Sequence, residues 1–210
     1  MTLSLANLSR HKDPRATLLK IFGIWYLSRK PRQLCSFATS KKAAELSYNQ
    51  SKCAVYYEDN DFTLDKISVS FKKKKQLSKS LTHREFEVTD GENSTNVSHF
   101  HFATWADHGV PKLTDFLDDF DFIYKILASN IDSSEGPSIV HCSAGVGRTG
   151  TFLAIFTQIY RILNDFDGYL NIGDTVFDLK KQRYLMVQTE EQYKFIFDAV
   201  LGFLKNKKPL

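Results

Sequence analysis

The sequence predicts an α/β fold, a twisted mixed β-sheet flanked by helices, and three observations predict it. Three stretches, 62–71, 81–89 and 96–103, alternate apolar and polar residues as half-buried strands do. Segments starting at Thr114, Thr149 and Thr189 carry apolar residues at helical spacing. Between the first two of these, a short apolar run, Ser138-Ile139-Val140, feeds into a glycine-bearing loop that opens a helix.

With 210 residues, 42% of them hydrophobic and 25% charged, the chain suits one soluble domain with a sizeable core. Three cysteines without paired spacing argue against a disulfide framework or a structural zinc site. They fit a reducing compartment instead. The net charge of +4 is unevenly spread. Residues 1–44 hold nine Lys or Arg against Asp13 alone, a balance of +8, and the remainder carries −4. The chain is therefore divided into a divergent basic N-terminal segment, 1–50, a main domain, 51–205, and a short basic tail, 206–210. No run is long enough to span a membrane, since Leu18 to Leu27 is short and contains Lys20. The start lacks a signal-peptide pattern, so a cytoplasmic location is expected, with a mitochondrial transit segment as the alternative. No nucleic-acid partner is expected, and a monomer is the expected state.

In order along the chain, Pro14 and Pro31 interrupt the basic segment, in which Leu18 to Leu27 suits a short helix or strand. Lys52-Cys53-Ala54-Val55-Tyr56-Tyr57 follows, with Cys53 expected as a small buried residue. The strands 62–71, 81–89 and 96–103 come next, with a turn at Asp90-Gly91. The Lys72 to Lys75 run is expected as a solvated loop between strands. His83, His99 and His101 fall on strand positions without metal-ligand spacing and are read as structural.

Trp105-Ala106-Asp107-His108-Gly109-Val110-Pro111 has the glycine and proline of a mobile loop. Phe116, Leu117, Phe120, Ile123 and Leu127 then mark one face of a helix over 114–130, with Thr114 as its N-cap.

His141-Cys142-Ser143-Ala144-Gly145-Val146-Gly147-Arg148-Thr149-Gly150 is the chemical centre. Backbone N–H groups of a loop between strand and helix converge on one point, and the helix dipole adds positive potential there. Arg148 offers a planar fork for two phosphate oxygens. A thiol in that field becomes a nucleophilic thiolate. The expected object is an anion cradle, Ser143 to Arg148, with Cys142 beneath it, suited to a phosphate monoester. Asp107 is a candidate proton donor for the departing oxygen. Phe152, Leu153, Ile155, Phe156, Ile159, Ile162 and Leu163 predict a mostly buried helix behind the cradle.

The last motif is Arg183-Tyr184-Leu185-Met186-Val187-Gln188-Thr189-Glu190-Glu191-Gln192-Tyr193. Thr189 and Gln192 form a capping box that opens a helix burying Tyr193, Ile196, Phe197, Val200 and Leu204. Gln188 lies just before the cap, where an amide can hold a water in line with a P–S bond.

The cradle resembles the phosphate-binding loop of the tyrosine-specific protein phosphatases. Its Cys-x5-Arg core is shared with dual-specificity enzymes, and the flanking His141, Ser143-Ala144-Gly145 and Thr149-Gly150 narrow it to the tyrosine-specific branch. Residues 105–111 resemble that family's acid loop, Trp-Pro-Asp-x-Gly-Val-Pro, with Ala106 in place of proline and Trp105 as hinge anchor. Residues 183–193 resemble its glutamine loop, and 52–57 its Lys-Cys-x-x-Tyr-Trp, with Tyr57 for Trp. The resemblance covers roughly Lys52 to Leu204.

It implies hydrolysis of phosphotyrosine in proteins through a phosphocysteine, without cofactor or metal. Cys142, Arg148, Asp107, Gln188, His141 and Thr149 would be catalytic. His141 would orient the loop and help keep the thiolate, and Thr149 would donate to the sulfur. Gln192 would be the auxiliary glutamine, and Lys52 would approach the acid. The family's Asn-Arg-Tyr recognition motif is absent, and Arg10-His11-Lys12-Asp13 is its faint echo, with His11 in the tyrosine's place. That departure implies a shortened or replaced N-terminal region. It leaves open a binding module that captures phosphotyrosine proteins without turnover, and an enzyme of relaxed specificity.

Overall fold

The computed structural model describes residues 59–64, 66–131, 138–164 and 170–206, together with the backbone of 4–5 and 33–36. Seven strands form one mixed sheet: β1 (Ser4–Leu5), β2 (Gln33–Ser36), β3 (Phe62–Leu64), β4 (Ile67–Gln76), β5 (Leu81–Thr89), β6 (Ser94–Phe102) and β7 (Ile139–His141), in the spatial order β1-β7-β2-β6-β5-β4-β3. The β1/β7, β7/β2 and β2/β6 pairs are parallel. The β6/β5, β5/β4 and β4/β3 pairs are antiparallel. The fold is therefore α/β with a mixed sheet, as the alternation and the strand–loop–helix unit predict. Two strands from the basic N-terminal segment, β1 and β2, are hydrogen-bonded on either side of β7.

Alternation along β5 and β6 sends residues to two faces. Leu81, Phe100 and Phe102 join a large cluster with four helices, while Phe86, Val88 and Val97 join Ile67, Val69 and Ile139 on the opposite face. The helices are α1 (Leu113–Ser129), α2 (Gly147–Leu163), α3 (Ile172–Gln182) and α4 (Glu190–Asn206). In α1 the periodic residues Phe116, Phe120, Ile123 and Leu127 are buried as expected. In α2 a run from Gly147 to Phe156 is buried without a break, so this helix is the centre of the helical layer, with α3 and α4 packed on it.

Four local expectations are corrected. The stretch 62–71 is not one strand but two, β3 and β4, folded back on each other with Phe62 opposite Val69. The lysine run is not a loop: Lys72 to Lys75 continue β4 to Gln76, with a bulge between Phe71 and Lys73. The strand tolerates them because partners on its neighbours take up the charge. Lys72 pairs with Glu87 at 2.6 Å and Lys74 with Asp59 at 2.9 Å. The N-cap of α1 is Lys112, not Thr114, whose hydroxyl donates to the Asp115 carboxylate instead. The predicted helix behind the cradle begins at Gly147, which puts Arg148 and Thr149 inside its first turn. Leu18 to Leu27, Arg10 to Asp13 and residues 52–57 lie outside the described residues.

Candidate active site

The cradle is built by burial. β7 is buried at every residue and delivers Cys142 to the start of the loop with 2% of its surface exposed. Val146, the N-cap of α2, has no side-chain capping bond. The first-turn N–H groups of α2 are thus not claimed by a cap, as an anion site requires. Gly145 has φ +69°, and this reversal in the middle of the loop suits a residue without Cβ.

Arg148 is only 2% exposed, and its fork ties the cradle to the acid loop. One terminal nitrogen donates to the Trp105 carbonyl at 3.0 Å. The other donates to the Ser143 hydroxyl at 2.9 Å and to Asp107 Oδ1 at 3.1 Å. Arg148 and the candidate acid are thus ion-paired. Arg148 Nε and Thr149 Oγ1 are buried without a hydrogen-bond partner. Orphaned donors are expensive in a dry site, and these two fit groups that await a ligand or a charged sulfur.

His141 accepts no charge. Burial, with His101 and Arg148 adding repulsion, pushes its imidazole down to about 4. Its Nδ1 lies 2.9 Å from the Cys142 carbonyl, which can only accept, so the nitrogen carries the proton. The ring therefore orients the cysteine's backbone, and being neutral it lends the thiolate no charge.

The acid loop hangs from Trp105, which is fully buried and packs edge-on to Phe102, Phe116 and Phe195. Its indole N–H donates to the Gly109 carbonyl at 2.9 Å, closing the loop on itself. Asp107 and His108 between these anchors are exposed, and His108 adopts φ +59°.

Gln188 and Gln192 converge on the same helix start. A Cβ placed on Gly147 would lie 2.5 Å from Gln188 Oε1 and 3.1 Å from Gln192 Nε2. The capping box is half made. The Thr189 hydroxyl accepts from the Gln192 N–H at 3.1 Å. The Gln192 side chain does not return to Thr189: its Oε1 accepts from the Gln188 N–H at 2.9 Å, and its Nε2 donates to the Gly109 carbonyl at 3.4 Å. Gln192 thereby bridges the glutamine loop to the acid loop. The turn before Gln188 is strained, with Leu185 at φ +70° and the β-branched Val187 at φ +61°. It is held down where the Val187 N–H donates to the Val146 carbonyl at 3.2 Å.

A family model for protein-tyrosine phosphatase matches residues 41–202. The chain belongs to the protein-tyrosine phosphatase family. It is 44% identical over 129 residues to the receptor-type tyrosine-protein phosphatase eta of Mus musculus, covering 60% of this chain and 10% of that protein. It is 40% identical over 162 residues to the protein-tyrosine-phosphatase PTP1 of Arabidopsis thaliana, covering 74% of this chain and 46% of that one. With the tyrosine-protein phosphatase corkscrew of Drosophila virilis it shares 34% over 171 residues, which are 77% of this chain and 22% of that protein. The chain thus spans less than half the length of each of these relatives.

Within this phosphatase domain the structure brings together Cys142, the Ser143–Arg148 loop, Thr149, Asp107, Trp105, Gln188 and Gln192. Lys52 lies outside the described residues. Among the described residues no group of three or more His, Cys, Asp or Glu is placed to hold a metal ion. Sequence reasoning missed Arg183, which donates to the Ala144 carbonyl in the cradle at 3.1 Å. Its position as the first residue of the glutamine-loop motif was the available signal. It also missed α3, although Asn171 caps that helix through Asp174 N–H and Ile172, Val176 and Leu179 recur at helical spacing. No helix among the described residues is long and apolar enough to cross a membrane.

Proposed function

We propose that the chain hydrolyses phosphotyrosine in proteins through a phosphocysteine. The observation that carries this is the buried Arg148 fork, which joins the cradle above Cys142 to the Asp107 carboxylate. Substrate phosphate would replace Asp107 on the fork and take the vacant Arg148 Nε and cradle N–H groups. Cys142 Sγ then forms a bond to phosphorus as the P–O bond to the phenol breaks. Asp107, protonated on release from Arg148, gives its proton to the departing oxygen. The cradle holds the equatorial oxygens throughout, where charge develops.

In the second step a water held by the Gln188 amide gives its proton to Asp107 and its oxygen to phosphorus. The P–S bond breaks, the sulfur leaves as thiolate, and the Thr149 hydroxyl donates to it. Gln192 keeps the glutamine and acid loops in register. Turnover is favoured over capture alone because nucleophile, arginine, acid and glutamine all converge and the relatives are named as phosphatases.

Three further features belong to this proposal. The boundary near residue 50 rests on the change in charge near residue 45 and on the family resemblance that becomes continuous from Lys52, although β1 and β2 tie the basic segment into the same sheet. A cytoplasmic location is supported by a thiolate that needs a reducing compartment, and a role in signalling is proposed from the phosphotyrosine substrate. A monomer acting on phosphotyrosine proteins is the working state.

The test is phosphate release from a phosphotyrosine peptide by wild type and Cys142→Ser. Wild type is expected to turn over and the variant to show no activity above background, since an unactivated hydroxyl is a poor nucleophile there. A folded wild type that releases no phosphate overturns the hydrolase reading. A matched phosphoserine peptide measures the weaker tyrosine preference expected without the Asn-Arg-Tyr aromatic wall.

A further inference from the structure

We propose that Arg183 is a positioning residue of the cradle, pinning the Ala144–Gly145 peptide so that the Gly145 N–H faces the bound anion. The inference rests on the phosphatase reading of the same site.

Arg183 closes α3, and its terminal nitrogen reaches across 39 positions of sequence to the Ala144 carbonyl at 3.1 Å. No cis peptide occurs among the described residues. In a planar trans peptide C=O and N–H point in opposite directions. Holding the Ala144 oxygen on one side therefore turns the Gly145 N–H to the other. The glycine at φ +69° is where the loop reverses, and a residue without Cβ resists rotation of that peptide least. Rotation would bring a carbonyl oxygen against the anion. A guanidinium on the carbonyl prevents it, and polarises the same peptide so that its N–H donates more strongly.

Two variants, Arg183→Lys and Arg183→Gln, each lose the planar guanidinium that reaches the Ala144 carbonyl. The readout is protection of Cys142 by inorganic phosphate against alkylation by iodoacetamide, followed on the Cys142 peptide by mass spectrometry. It needs no turnover, so a protein that failed to hydrolyse phosphotyrosine would still answer the question. Both variants should weaken phosphate protection about tenfold, because neither side chain reproduces the guanidinium's reach to that carbonyl. Protection within twofold of wild type in both variants would overturn the proposal. So would a lowered melting temperature with protection unchanged, which is what a merely structural arginine would give.

Discussion

The cradle and the acid loop meet at the Arg148–Asp107 ion pair, and they are built in opposite ways. From His141 to Gly150 every residue but Ala144 is buried. Across 103–108 only Trp105 is buried. The cradle is fixed by β7 before it, by α2 after it, and by the glutamine loop, whose Val187 N–H bonds the Val146 carbonyl. The acid loop is fixed by one indole, its bond to the Gly109 carbonyl, by the Gln192 amide on that same carbonyl, and by Arg148. The difference follows from what each must do. Donors that stabilise a developing charge work best when they do not reorganise. An acid that must follow the leaving oxygen needs a segment that can move.

The largest expected effect lies on the mobile side. Asp107→Asn removes the proton donor, and kcat on a phosphotyrosine peptide should fall roughly 10²- to 10⁴-fold. Inhibition by phosphate should hold or tighten, because the carboxylate no longer competes for Arg148. The fall should be smaller on para-nitrophenyl phosphate, whose phenolate leaves without help. Equal falls on the two substrates would break the assignment of the acid to this loop.

Two glycines test the rigidity of the other side. A Cβ on Gly150 would lie 2.6 Å from the Val187 backbone nitrogen, which the packed core cannot yield. Gly150→Ala should lower stability by about 1–3 kcal/mol in urea unfolding and reduce activity with it. A Cβ on Gly147 meets the movable end of Gln188 instead. Gly147→Ala should leave the urea midpoint nearly unchanged and slow hydrolysis of the phosphocysteine, which a burst of phenol release would reveal. Similar urea midpoints for the two variants would mean that the cradle is softer than its burial implies.

Acid sensitivity should also sit on the cradle side. Burial holds His141 down to about 4, from an ordinary 6.5, and burial likewise lowers His99. Below about 6.5 the unfolded chain takes up protons that the folded chain refuses. The stability tied to His141 is thus fully present above about 6.5 and lost as pH falls toward 4, on the order of 3 kcal/mol at most. Urea midpoints at pH 7.5 and 4.5 measure it. His141→Asn should flatten part of the difference, whereas Asp107→Asn should leave the part due to His141 in place. An unchanged slope in His141→Asn would move the acid sensitivity elsewhere.

The smallest effect concerns the loop's hinge. Proline at a compatible position restricts the open chain, worth about 0.4–1 kcal/mol. Ala106→Pro should therefore raise kcat roughly two- to fivefold, with KM nearly constant. A lower kcat, or a change in KM alone, would show that the loop is adapted to alanine.

Most of the cradle was legible because it is local. A short apolar run, a glycine and an arginine at the helix start specify strand, loop and helix start within ten residues. Half of the capping box was legible for the same reason, since Thr189 reaches only to the Gln192 N–H. The lysine strand was not legible, because Lys72 and Lys74 are acceptable there only through Glu87 and Asp59, which are remote in the chain. Helix α3 carried its signals, an Asn cap and apolar spacing, but its weak apolar content did not separate it from a polar loop.

By itself the sequence determined the order of β5, β6, α1, β7, α2 and α4 along the chain, the strand–loop–helix unit at Cys142, and the family to which these motifs belong. Those properties depend on residues within a few positions of one another, where backbone period and capping decide the outcome. Only the tertiary structure decided that Arg148 holds Asp107 and the Trp105 carbonyl. It alone directed the Gln192 side chain away from its own cap toward Gln188 and Gly109, and set Arg183 against the Ala144 carbonyl. All of these contacts except the Gln192–Gln188 bond close long loops of chain, and packing of the helices on β5, β6 and β7 brings their ends together. No local pattern specifies which distant donor an orphaned carbonyl will meet.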